Sequence, residues 1–160
     1  MKKALLVTLA TVALGATTIA TFAQDDLAFA NQIDARQSFM HVYRFNLGML
    51  GAMARGDAPY DAEQASAAAN NLLAASKMNN RAMWPAGSDM SAAGYEGISF
   101  AKAGIWGADS EAGAKGQALT EALEAMAAVA GDGLDAVRSN MGAVGNGCKG
   151  CHELYRADRD

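Results

Sequence analysis

Apolar residues recur every three or four positions through most of the chain, the spacing of α-helices that each bury one face. The first run spans about Leu27 to Ala54 and carries two stripes. One is Ile33, Met40, Leu47 and Leu50, with Arg36, Gln37, Tyr43 and Arg44 at its margins; the other is Phe39, Val42, Asn46, Met49 and Met53. A helix with two apolar faces needs two neighbours, so one face belongs to the domain core and the other fits a partner subunit.

Arg55-Gly56-Asp57-Ala58-Pro59 interrupts the pattern as a turn, and Asp61 can cap a second helix reaching about Lys77. Ala65, Ala68, Ala69, Leu72, Leu73 and Ser76 line one side of it, small enough for close packing. From Met78 to Ala108 the periodicity weakens around Trp84-Pro85, Gly87 and Gly94, with room for a short helix from Ser99 to Trp106. A connection of that length in a compact domain usually covers something. A third helix fits Asp109 or Ser110 to about Ala130, with Leu119, Leu123, Met126 and Val129 inward. Gly131-Asp132-Gly133 closes it, and Asp132 can cap a last helix bearing Leu134, Val137, Met141, Val144, Cys148, Cys151 and Tyr155 on one face. Four helices joined by three connections predict an all-α fold, an antiparallel four-helix bundle with a cofactor between its helices.

Composition agrees with that class. The 160 residues are 51% hydrophobic and hold only two prolines, which favours helix, and their number suits one domain. Residues 1–23 change the count of what folds. Met1-Lys2-Lys3, an apolar stretch from Ala4 to about Ala20 and Thr21-Phe22-Ala23 before Gln24 follow the order of a secretory signal peptide, cleaved after Ala23. Thr8, Thr11, Gly15, Thr17 and Thr18 make a poor membrane anchor of it. Residues 24–160 are then the mature bundle, exported to a periplasm and carrying no membrane span. Losing Lys2 and Lys3 takes the formal net charge from −4 to about −6, a poor match for nucleic acid or anionic membranes and a favourable field for a cationic redox partner.

Both cysteines of the chain fall in Cys148-Lys149-Gly150-Cys151-His152, the spacing of covalent haem c attachment. Residues three apart on a helix stand about one turn from each other on the same side, so both thiols can reach the vinyl groups of one porphyrin. His152, four residues after Cys148, stays on that side and can bring an imidazole nitrogen under the iron. A thioredoxin-like dithiol normally accompanies a βαβ pattern, which is missing here. A zinc site wants four ligands, and the only other histidine is His41. A disulfide across three residues of one helix would restrain little.

With this motif at the end of the chain, alongside Arg36-Gln37-Ser38-Phe39-Met40, Leu50-Gly51-Ala52-Met53-Ala54-Arg55-Gly56 and Ile105-Trp106, the sequence resembles the class II c-type cytochromes. That group holds cytochrome c′ and the low-spin cytochrome c-556 type. The resemblance implies one covalent haem c in a left-twisted bundle, often a homodimer through its first two helices, in the bacterial periplasm. It also implies that Arg36 and Gln37 lie along the haem edge, with Arg36 pairing with a propionate. Arg156 would stand beside the proximal ligand His152, and Asp89, with Ser88 and Met90, would line the haem from the long loop.

Met40 matches the position facing the far side of the iron. A ligating methionine there gives a closed centre for electron transfer and raises the haem potential. A non-coordinating side chain leaves a five-coordinate iron open to NO or CO. The expectation is an electron carrier with iron held by His152 and Met40, the open gas-binding site being the alternative. No Ser-His-Asp or paired-carboxylate arrangement can be read from the chain, so no enzymatic turnover is expected.

Overall fold

The computed structural model describes residues 27–158; the expected signal peptide lies outside them. Four helices run in order: α1 is Ala30–Arg55, α2 Ala62–Lys77, α3 Ala112–Val129 and α4 Leu134–Tyr155. Short 3-10 turns at Arg81–Met83 and Ala103–Trp106 punctuate the long connection between α2 and α3. Among the described residues there is no strand, only a single isolated antiparallel bridge between Ala101 and Arg156. The predicted four-helix bundle is the observed fold.

The helix ends follow local chemistry. Gly56 stops α1 in a left-handed conformation (φ 83°), which lets its N–H reach the carbonyl of Met53 while the Asp57 N–H reaches Ala52. Asp61 caps α2 as expected, accepting the Gln64 N–H at 2.9 Å. Two starts differ from the expectation. Helix α3 begins later, at Ala112, with Glu111 at its cap and the Glu111 N–H donating to the Tyr155 hydroxyl at 2.7 Å. Gly133 at φ 143°, not Asp132, stands at the start of α4. The expected helix from Ser99 shrinks to Ala103–Trp106, because Phe100 to Lys102 are extended and pair with the chain after α4.

Leu50, Met53, Ala65, Ala68, Ala69, Leu72, Leu123, Met126, Val137 and Val144 form the core, contributed by all four helices. On α1 the two stripes of the sequence merge into one. Ile33, Arg36, Phe39, Asn46, Leu50 and Met53 are buried, whereas Val42 and Phe45 face outward, Phe45 with 69% of its surface exposed.

Helices α3 and α4 pack more extensively than any other pair. A β-carbon added at Gly147 would stand 3.1 Å from the Cα of Leu119, so the glycine admits the neighbouring backbone one residue before Cys148. Alanine usually stabilises a helix interior by about 1 kcal/mol over glycine. At Gly142, where the space is open, Gly142→Ala should therefore stabilise the fold. Gly147→Ala should instead destabilise it by about 1–2 kcal/mol through overpacking. Chemical denaturation of the two variants gives opposite signs if this packing is right.

Candidate functional site

Cys148, Cys151 and His152 lie in the last two turns of α4 and are all half-buried. Neither cysteine is in a disulfide. Burial pushes both thiols up, Cys148 further by the neighbouring Cys151, while Lys115 on α3 acts in the opposite sense on Cys151. Burial, helped by Arg156, pulls the imidazole of His152 down. It therefore stays neutral near pH 7, the form that ligates a metal.

Helix α1 closes the other side. Tyr43 stacks edge-on against Phe39 at 5.2 Å, and its phenol is pushed up to about 12, first by burial and then by the charge of nearby Cys148. Tyr43 and Cys148 thus bring α1 and α4 together at the motif. Two free thiols one turn apart, beside a neutral imidazole in a half-apolar setting, fit covalently attached haem c. Cys148 and Cys151 would hold the macrocycle and His152 the iron. Bound there, haem supplies an iron able to exchange one electron or take a small diatomic ligand.

The sequence motif gave no sign of the cleft beside it. Lys102, Lys149, His152, Glu153, Arg156 and Asp158 line a space of about 500 Å³ at the end of α4. Lys102 comes from the long connection, and its ammonium donates to the carbonyl of Glu153 at 3.3 Å. A second space, of about 350 Å³, lies where α1 begins, between Ile33, Asp34 and Gln37 on one side and Ile98 and Phe100 on the other.

Arg36 is only 3% exposed, and its terminal nitrogens are bound by the long connection. One donates to the Ser88 hydroxyl at 2.7 Å and to the Met83 carbonyl at 3.4 Å; the other donates to the Ser88 carbonyl at 2.6 Å and the Ser99 hydroxyl at 2.7 Å. Trp84 and Trp106 lie against the guanidinium at 4.9 and 5.9 Å from their ring centres. Burial lowers the Arg36 pKa, and Asp89 nearby offsets part of that. The Asp89 carboxylate accepts the Ser91 hydroxyl and N–H, which hold it below the usual carboxylate range. Gln37 donates to the Ile98 carbonyl at 2.6 Å. The structure ties Arg36 and Gln37 to the long connection that carries Asp89, and it gives Arg36 protein acceptors that sequence reasoning did not foresee. Met40, one turn beyond Arg36, has 37% of its surface exposed.

The sequence model described as Cytochrome C′ matches residues 31–156, nearly the whole bundle and the motif that ends it. The chain belongs to the cytochrome c′ family. It is 36% identical over 133 residues to a cytochrome c-554 from Cereibacter sphaeroides, covering 83% of this chain and 98% of that protein. To a cytochrome c′ of the same species it is 35% identical over 159 residues, covering 99% of this chain and all of the relative. A solved cytochrome c′ from Rhodobacter sphaeroides superposes with a TM-score of 0.77 at 32% identity, over 83% of this chain and all of that one. A nitric oxide complex of a cytochrome c′ variant from Alcaligenes xylosoxidans superposes at 0.66 and 31% identity, over 81% of this chain and 95% of that one. Cytochrome c′ proteins bind haem c covalently, and Cys148 and Cys151 in their Cys-x-x-Cys-His run are consistent with it.

Proposed function

We propose that the protein is an exported haem c protein whose iron is held by His152 and open on its opposite side to a small neutral gas such as nitric oxide or carbon monoxide. Residues 1–23 would direct it to the periplasm, where redox partner proteins set the oxidation state of the iron. The observation that carries the reading is the likeness, across 81% of the chain, to a cytochrome c′ variant solved with nitric oxide bound. This favours the open site over the His152/Met40 electron carrier expected from the sequence. Met40 is then an apolar side chain beside the gas position, and it does not ligate the iron.

Absorption spectra of the ferrous protein with and without CO test this. High-spin bands that shift on adding CO are expected, and Met40→Ala should leave the spin state unchanged while speeding CO association. A CO-inert low-spin spectrum that Met40→Ala converts to high spin would overturn the open site and make Met40 the sixth ligand.

The same reading includes a homodimer through α1 and α2. Val42 and Phe45, one turn apart, face outward from α1, and adjoining exposed apolar side chains can serve as a self-association surface. Phe45→Glu should weaken self-association by roughly tenfold or more, since two charges would be buried in place of two rings. Sedimentation of the variant as a stable dimer would exclude α1 as the interface.

A further inference from the structure

Ser99 lies 1% exposed at the junction between α1 and the end of α4. Its hydroxyl proton goes to the Ser88 carbonyl at 2.8 Å, so its lone pairs are left to accept Arg36 at 2.7 Å and the Ala101 N–H at 3.3 Å. Ser88 is arranged alike: its own hydroxyl donates to the Pro85 carbonyl at 2.7 Å and accepts from Arg36. Every serine hydroxyl in this cluster therefore has a fixed direction, set by one guanidinium on α1.

From Ser99 the chain continues into an extended strap across the C-terminus of α4. The Phe100 carbonyl accepts the Ala157 N–H at 2.8 Å, and the Lys102 N–H donates to the Tyr155 carbonyl at 2.9 Å. The last carbonyls of a helix have no partner within it, and such ends fray unless something outside them donates. Here Lys102 supplies two donors, its N–H to Tyr155 and its ammonium to Glu153. The turn so capped is the one that carries His152, whose carbonyl accepts the Arg156 N–H at 3.0 Å.

We propose that Ser99 is a positioning residue for His152: it fixes the strap between Arg36 on α1 and the last turn of α4, and so sets the orientation of the imidazole. The proposal rests on His152 being the axial ligand. Through this connection the helix facing one side of the haem site and the helix supplying its ligand move as one unit.

The test uses the full chain with its haem attached. Ser99→Ala should shift or broaden the iron–histidine stretching band of the ferrous protein in resonance Raman spectra. It should also speed amide exchange at Ala157 roughly tenfold, the loss of about one hydrogen bond's worth of local stability. Lys102→Pro removes the N–H that reaches Tyr155, at a φ of −79° that proline accepts, and should reproduce both effects with Ser99 intact. Tyr60→Phe supplies the control. It deletes the hydrogen bond to the Ala130 carbonyl at the far end of the bundle and should lower stability while moving neither readout. An unchanged band and unchanged Ala157 exchange in both strap variants would overturn the proposal, as would an equal band shift in Tyr60→Phe. Persistence of the iron–histidine band in His152→Ala would instead overturn the ligand assignment.

Discussion

Replacing both Cys148 and Cys151 with serine should leave no haem on the polypeptide after acid–acetone extraction, where the wild type keeps one per chain. The serine hydroxyls preserve the size and helix position of the thiols but cannot form the thioether bonds. The haem is tethered to the folded and the unfolded chain alike, so removing it costs the contacts it would make only in the folded state, against half-buried side chains of α1, α3 and α4. Burial of a large aromatic group in a folded core contributes about 3–4 kcal/mol, so the variant should melt roughly 10 °C lower. His152→Ala separates the two roles of the motif. It should keep the haem through extraction while changing its iron spectrum. Retention of haem by the double serine variant would remove Cys148 and Cys151 from the attachment site.

Arg36→Ala should be the most costly single substitution outside the motif, about 3–5 kcal/mol in denaturant unfolding. The side chain is a buried charge with four hydrogen bonds to the long connection and two tryptophans against it. Truncation leaves lone pairs of Ser88 and Ser99 without the guanidinium and opens a void beside the Trp84–Trp106 pair. Arg36→Met fills part of that void but restores no donor, so it should recover only a minor share of the loss. A cost below about 1 kcal/mol for Arg36→Ala would show that the connection holds its shape without the guanidinium.

The helices and the motif are both local in sequence, which is why they could be read. Helix α2 shows its buried alanines at three- and four-residue spacing, and Asp61 caps it where an N-cap residue is expected. Cys148, Cys151 and His152 carry their chemistry in their spacing because one helical turn brings them together without help from the rest of the chain. On α1 the sequence showed two apolar faces and could not choose between them. The positions of α2 and α4 decide that Phe39 and Asn46 turn inward and Phe45 outward.

The chain alone thus determined the bundle, the covalent haem and the residue expected to hold its iron, since each depends on contacts within a turn or two of helix. Only the tertiary structure decided what holds that ligand's helix in place. Ser88 and Ser99 meet Arg36 across 52 and 63 positions, and Lys102 meets Glu153 across 51. Contacts over such separations leave no periodic trace in a sequence, because a serine in a long loop has the same local propensities whether it faces water or a buried guanidinium.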